Sequence, residues 1–339
     1  MQRENKILLN HGSGGKMSHD LLKNLFMKYF SNDILQAESD SAILDISPGL
    51  LAFTTDSYVV SPLFFAGGNI GKLAVYGTVN DLSVSGAIPL ALSASFILEE
   101  GLLLDELEKV VESMAVAAGK AGVVIVTGDT KVVEHGKCDK VFINTSGVGL
   151  LNPDYREISF GNRIKPGDKI IINGSVGDHG VAILAARESL KISPEIESDS
   201  APLNTLIRTV LDNGIKVRFM RDPTRGGLAT VLCEVAEKRN LGIDIRENDI
   251  PVKEAVRSTC EVFGYDPLYL ANEGKVAIIV SEEDAERNLR ILRNQVYGKD
   301  AQIIGEITHN HPGKVVMDTE IGGKRIVDML AGEQLPRIC

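Results

Sequence analysis

The stretch IGKLAVYGTVNDLSVSGAIPLALSASFIL, residues 70–98, changes its hydrophobic period part-way along. Helical spacing at its start, from Ile70 through Leu73 and Ala74, predicts a helix over 70–85, and the apolar run 90–98 predicts a strand. A helix that feeds directly into a strand is the unit of a layered α/β domain. Asn80 and Asp81 stand side by side within the helical pattern, where polar groups without partners would be costly to bury. The helix is therefore expected to meet something polar at that point.

The alternation continues on both sides. Strand-like runs fall at 42–46, 50–54, 123–127 and 141–149, with helical patterns at 17–30 and 103–121. A polar stretch containing glycine, 152–167, follows as a linker, and Pro166-Gly167-Asp168 turns into a fresh strand at 169–173. The second half repeats the mixture, with helices at 181–190, 203–213, 228–239 and 285–297 and strands at 275–280 and 302–307. Its architecture is expected to resemble the first. The fold class is α/β (α+β): domains at 1–155 and 165–325, each a mixed sheet packed with helices, then a C-terminal tail at 326–339.

With 339 residues and 44% hydrophobic content, the chain can bury two cores. A formal net charge of -10 and a pI near 5.2 argue against nonspecific nucleic-acid binding. There is no apolar run of about 18 residues, and the first ten residues lack the apolar core of a signal peptide. A cytoplasmic protein without a membrane partner is expected. Cys138, Cys233, Cys260 and Cys339 show no CxxC pairing, which indicates neither a zinc knuckle nor a disulfide framework. His309 and His311, next to Pro312-Gly313, read as a solvated loop.

Asp40, Asp56, Asp81, Asp129, Asp178 and Asp222 follow strands or lie in glycine-containing turns, with the exception of Asp81 in its helix. Any one of them alone caps a turn as readily as it binds a ligand. Carboxylates delivered by separate segments (Asp40, Asp56, Asp81, Asp129) suit Mg2+, a hard ion that takes oxygen ligands and shares phosphates. Backbone donors for a polyphosphate would come from two glycine clusters, His11-Gly12-Ser13-Gly14-Gly15-Lys16 and Asp222-Pro223-Thr224-Arg225-Gly226-Gly227. Neither is a Walker A loop and no GxGxxG fingerprint occurs, so ATP would be held by another design.

The chain ends Gly332-Glu333-Gln334-Leu335-Pro336-Arg337-Ile338-Cys339. An exposed thiol at a chain end is a liability in a reducing compartment unless it is used. Pro336 stiffens the approach, Gly332 offers a hinge, and about seven extended residues reach roughly 25 Å. That length can carry the thiol into a cleft.

In this order, the motifs resemble those of the PurM-like ATP-binding superfamily, and most closely its HypE hydrogenase maturation family, over nearly the whole chain. The matching segments are the 11–16 loop, Thr54-Thr55-Asp56-Ser57, Gly77-Thr78-Val79-Asn80-Asp81-Leu82, Thr127-Gly128-Asp129-Thr130-Lys131-Val132-Val133, Gly177-Asp178-His179-Gly180, Met220-Arg221 with the second glycine cluster, Asn272-Glu273-Gly274 and the Pro336-Arg337-Ile338-Cys339 end. A selenophosphate synthetase would place Cys or selenocysteine close before the lysine of the first glycine loop, where this chain has Ser13-Gly14-Gly15.

The resemblance implies a homodimer that binds ATP and Mg2+ chiefly through the first domain. It nominates Asp40, Asp56, Asn80, Asp81, Asp129, Thr130, Asp178 and Asp222 for the nucleotide site, the first, second, fourth and fifth of these as metal ligands. It implies further that Cys339 accepts a carbamoyl group from a HypF partner and that ATP drives its dehydration to a thiocyanate. The cyano group then passes to a HypC–HypD complex for the iron of a nickel-iron hydrogenase. On that reading Cys339 is the carrier, Lys131 meets a phosphate or the thiocarbamate oxygen, and Glu273 removes amide protons. The alternative is a synthetase of the same superfamily, making selenophosphate or aminoimidazole ribonucleotide, with a passive tail. A carrier without nucleotide turnover is a further alternative, against which the clustered aspartates argue.

Overall fold

The structure is a computed structural model describing residues 6–12, 16–33, 36, 49–192, 194–329, 335 and 337–339. Asp40, the strand expected at 42–46, glycines 14 and 15 of the first cluster, Gly332 and Pro336 lie outside the described residues.

The first domain opens with α1 (Lys16–Leu21) and α2 (Met27–Phe30), joined by a π-helical turn over Leu22–Phe26. Its sheet contains β1 (Leu50–Tyr58), β4 (Ala87–Glu99), β5 (Val124–Val133) and β6 (Val141–Leu151) in the order β1-β6-β4-β5. A separate hairpin pairs β2 (Phe64–Phe65) with β3 (Gly68–Asn69). Helix α3 (Ile70–Val84) starts at Asn69, whose side chain accepts from the Lys72 N–H at 3.0 Å. It is apolar nearly all round because it is enclosed: only Lys72 and Asp81 escape burial. Helix α4 (Leu104–Ala121) instead buries one stripe, Leu107, Val110, Val111, Met114 and Ala118, at helical spacing. Both helices belong to one side of the sheet. On the other side Leu51 and Phe53 remain 53% and 69% exposed, and Ile97 43%.

The second domain is built on seven strands: β7 (Lys169–Ile172), β8 (Val217–Arg221), β9 (Gly242–Arg246), β10 (Ala277–Val280), β11 (Gln302–Thr308), β12 (Val315–Asp318) and β13 (Lys324–Val327). Their order is β13-β12-β9-β11-β7-β10-β8, antiparallel except for β9 with β12. Around them pack α5 (Asp178–Glu188), α6 (Asn204–Asp212), α7 (Gly227–Arg239), α8 (Glu254–Phe263) and α9 (Glu282–Arg293). The two domains share a mixed, helix-packed sheet, but the second sheet is wider. Strands β8, β9, β12 and β13 were not visible in the hydrophobic pattern, because runs of four or five residues carry too few alternations. Among the described residues, no helix is long and apolar enough to cross a membrane.

Two polar features of the sequence change meaning in the fold. Strand β5 does not stop at 127 but runs through Gly128-Asp129-Thr130-Lys131, paired in parallel with β4 throughout. A Cβ on Gly128 would sit 2.0 Å from the Ala94 carbonyl oxygen, so this glycine marks a close approach of strands and not a turn. Asn80 is satisfied from across the domain seam: its Nδ2 donates to the carbonyls of Ala201 (3.0 Å) and Glu273 (3.3 Å), and its Oδ1 accepts from the Leu203 N–H (2.8 Å). The residue that looked costly mid-helix joins the two domains.

Candidate active site at the domain seam

Alternate burial along β1 turns Thr54, Asp56 and Tyr58 away from solvent, on the side of α3. Thr54 Oγ1 donates to Asp81 Oδ2 at 2.8 Å, and the Tyr58 hydroxyl donates to Asp56 Oδ2 at 3.2 Å. A Cβ on Gly77 would meet that hydroxyl at 2.1 Å, so glycine at this position is what lets the tyrosine reach in. From the second domain come Asp222, directly after β8, and Glu273, ahead of β10.

Burial raises the pKa of each of these carboxyls, and neighbouring carboxylates add to it at Asp81, Asp222 and Glu273. Burial, then the neighbouring Asp56, pushes Asp81 up to about 6. Burial, then Asp81 and Asp56, pushes Asp222 up to about 7. Asp56 is raised by burial. Glu273 is held well above its usual range by burial first, then by Asp199, Asp222, Asp56 and Asp81. It is only 4% exposed, and its Oε1 is buried without a hydrogen-bond partner. Arg221 eases the charge on Asp81 and Asp222, and Arg225 that on Asp56.

Among the described residues, no three His, Cys, Asp or Glu side chains stand close enough to enclose a metal ion. The arrangement suits a different mode. Magnesium is usually bound by one or two carboxylates and shares phosphate oxygens, and a cation would relieve the repulsion that raises these pKa values. Asp56 and Asp81 would hold it.

The end of the chain docks beside this cluster. The Val59 N–H, one residue beyond β1, donates to the Cys339 carbonyl at 3.0 Å, and the Ser61 N–H donates to the Arg337 carbonyl at 3.4 Å. Ile338 is 6% exposed within the first-domain core, and half-buried Cys339 packs against that core. Arg337 adopts φ 53°, donates from Nε to the Val59 carbonyl at 3.1 Å and pairs with Asp139 at 2.9 Å.

Other sequence candidates lie elsewhere. Asp129 and Lys131 form an exposed pair at 2.8 Å, and that hydrogen bond holds the Asp129 pKa down. The register Asp129–Ser95–Asn144–Ser57 sets Asp129 on the sheet face opposite Asp56. Strand β5 is three positions from β1, about 14 Å at ordinary strand spacing. Half-buried Thr130 pairs with Phe96 and takes the helix side. Asp178 heads α5, where Oδ2 accepts from Ser175 Oγ at 2.6 Å and pairs with Lys253 at 2.8 Å. Within one chain, then, Asp56, Asp81, Asp222 and Glu273 come together near the Cys339 main chain. Asp129, Lys131 and Asp178 do not join them, and Asn80 serves the seam.

Sequence reasoning missed Asp199. Its carboxylate accepts from the N–H groups of Glu273 (3.0 Å) and Gly274 (3.3 Å) and pairs with Lys275 at 2.9 Å, fixing the loop that carries Glu273. Burial pushes Asp199 up, but the charge of Lys275 and the hydrogen bonds from Lys275 and the Glu273 N–H outweigh it and leave the group below its usual range. A signal was present: Glu-Ser-Asp-Ser-Ala occurs at 38–42, around Asp40, and again at 197–201.

Comparison with known proteins follows the same division of the chain. Residues 38–151 match the family "AIR synthase related protein, N-terminal domain", and residues 165–318 match "AIR synthase related protein, C-terminal domain". The chain is 49% identical over 337 residues to the carbamoyl dehydratase HypE of Azotobacter vinelandii, covering 99% of this chain and 98% of that protein. It superimposes on the crystal structure of hydrogenase maturation protein HypE in complex with ATP with a TM-score of 0.94 at 50% identity, covering 98% and 99%. A HypE–HypF complex contains a chain matching at 50% identity with a TM-score of 0.78, covering 91% and 99%. With the PurM-like fold, both domain matches and identity near one half along its length, the chain belongs to the HypE carbamoyl dehydratase family of hydrogenase maturation proteins.

Proposed function

We propose that this protein dehydrates an S-carbamoyl group on its own Cys339 to a thiocyanate, at the expense of ATP, as a source of the cyanide ligand of nickel-iron hydrogenase. The observation that carries this reading is the docked chain end, whose last carbonyl is hydrogen-bonded to Val59, next to Tyr58 and the acidic cluster. An amide oxygen is a poor leaving group. Bound magnesium-ATP supplies a phosphoryl group for that oxygen, which then departs as phosphate.

The chain's own residues have two tasks. They must fix the thiocarbamate, through the tail's backbone hydrogen bonds, and they must help remove two protons from its nitrogen as the triple bond forms. Glu273 Oε1, buried and without a partner, is the acceptor for one of those protons, and the other leaves with the departing phosphate. Burial, with the neighbouring carboxylates, raises its pKa, which makes its ionised form the stronger base.

Lys131 has to be accounted for differently, since it stands on the open sheet face. Leu51 and Phe53 give that face an apolar patch, which suits a second copy of the chain. In such a homodimer Lys131 and Asp129 would serve the site of the partner copy. The HypF-type protein is the proposed carbamoyl donor and a HypC–HypD complex the proposed acceptor, with all three acting in the cytoplasm. Mass spectrometry of the C-terminal peptide, after incubation with the carbamoylating partner and magnesium-ATP, tests the reading. A carbamoylated peptide that loses the mass of one water supports it. A soluble product with Cys339 left as thiol would replace it with a small-molecule synthetase.

A further inference from the structure

Three successive carbonyls end this chain, and each accepts a hydrogen bond. The Arg337 carbonyl takes Arg187 Nη2 at 3.0 Å besides the Ser61 N–H, the Ile338 carbonyl takes His179 Nε2 at 2.8 Å, and the Cys339 carbonyl takes the Val59 N–H. His179 and Arg187 both belong to α5 of the second domain, two helical turns apart. Arg187 also holds the Ser61 carbonyl, through Nε at 3.1 Å and Nη2 at 2.9 Å, so one guanidinium ties the tail to the segment after β1.

The direction of these bonds fixes the state of His179. The Ile338 carbonyl can only accept, so Nε2 carries a proton; burial lowers the His179 pKa and so favours the neutral ring, in which Nδ1 accepts from the Ser198 hydroxyl at 2.8 Å. Ser198 Oγ in turn accepts from the Ser200 N–H at 3.2 Å. His179 is fully buried, with the Phe65 ring set edge-on at 5.6 Å.

We infer that His179 and Arg187 form a clasp that docks the chain end by its backbone carbonyls and thereby positions the Cys339 side chain. They are positioning residues. A clasp that grips main-chain oxygens is indifferent to the substituent on sulfur, so it holds the free, carbamoylated and cyanated tails in one register. It also makes the tail bridge both domains, with β1 on one side and α5 on the other. This inference rests on the reading of Cys339 as the carrier only for its use, not for the geometry of docking.

The test is made on the full-length protein, reading iodoacetamide alkylation of Cys339 by mass on the C-terminal peptide, together with nitrile formation. In His179→Ala and Arg187→Ala the alkylation rate should rise by about tenfold, as expected when a buried hydrogen bond is lost from the docked state. Nitrile yield per carbamoylated tail should fall in the same variants. His179→Gln, which keeps a donor near the Nε2 position, should return both readouts toward wild type, an effect that loss of packing alone would not produce. If His179→Ala fails to fold, half-buried Arg187 carries the test alone. Unchanged alkylation in the folded variants overturns the clasp. Faster alkylation in a protein whose wild type never forms nitrile supports the clasp and removes the carrier reading instead.

Discussion

The domain seam and the open face of the first sheet use the same carboxylate chemistry to opposite ends. At the seam, Asp56, Asp81, Asp222 and Glu273 are withdrawn from water and face one another, and all four pKa values move up. On the open face, Asp129 is solvated and hydrogen-bonded to Lys131, and its pKa moves down. Residue type does not separate the two. What separates them is burial first, which raises all four seam groups, and then the neighbours: carboxylates add to it at Asp81, Asp222 and Glu273, whereas the Lys131 hydrogen bond outweighs it at Asp129. A cluster of mutually repelling acids is poorly stable by itself and therefore fits a place built for a cationic or phosphate-bearing ligand, whereas the solvated pair contributes little to folding.

The largest effect should come from removing the buried acid whose Oε1 has no hydrogen-bond partner. Glu273→Gln keeps the shape of the buried side chain but cannot accept a proton. Nitrile formation should fall by about 10²–10⁴, the usual contribution of a general base, while Cys339 still accepts the carbamoyl group. Quantifying carbamoylated and cyanated C-terminal peptides over time separates the two steps. Cyanation at the wild-type rate would end the case for Glu273 as base.

The next effect is on stability, and its sign distinguishes the two regions. Seam carboxyls have folded pKa values above their unfolded ones, so the folded state holds protons that the unfolded state has released. Their contribution is complete below the ordinary Asp pKa and is lost as pH rises through about 6 for Asp81 and about 7 for Asp222. Asp81→Asn or Asp222→Asn should therefore flatten the fall in stability between pH 4 and 8. Each should stabilise the nucleotide-free protein at pH 8 by about 1 kcal/mol, kept modest by partial solvent access. Asp81→Asn should also weaken magnesium-ATP binding by about tenfold. Asp129 has the opposite sign, since its pKa is depressed and its small contribution is lost as pH falls. Thermal unfolding across pH, with and without magnesium-ATP, measures both, and a seam variant that destabilises at pH 8 would contradict the mutual repulsion.

How much of this was legible beforehand depends on whether the deciding partner was local. Helix α3 was plain from residues 70–85, because its apolar pattern is written within one segment. The pairing of Asp81 with Thr54, and of Asn80 with the second domain, was not, since those partners lie 27 and more than 100 residues away. Gly128-Asp129 looked like a turn because glycine followed by aspartate usually is one, and the close approach of Ala94 that requires this glycine belongs to another strand. The Cys339 tail was legible as chemistry but not as geometry. Its docking depends on His179 and Arg187, which no local pattern links to residue 338.

The smallest expected effect sharpens the comparison most. Lys131→Ala should change folding stability by no more than about 0.5 kcal/mol, because it breaks only a solvated pair, yet it should impair nitrile formation if Lys131 serves the site of a second copy. Mixing subunits decides the point. A Lys131→Ala chain and a Glu273→Gln chain are each inactive as homodimers if both residues are needed. In a heterodimer, one site would combine the intact Glu273 of the first chain with the intact Lys131 of the second, and the other site would lack both. Random mixing makes half the dimers mixed, with one working site in two, so activity should recover to about one quarter of wild type. No recovery, with subunit exchange verified by native mass spectrometry, would mean that Lys131 serves its own chain or neither. Adding Phe53→Glu to both chains should then abolish the recovery, because the charge would sit on the apolar patch that holds the copies together.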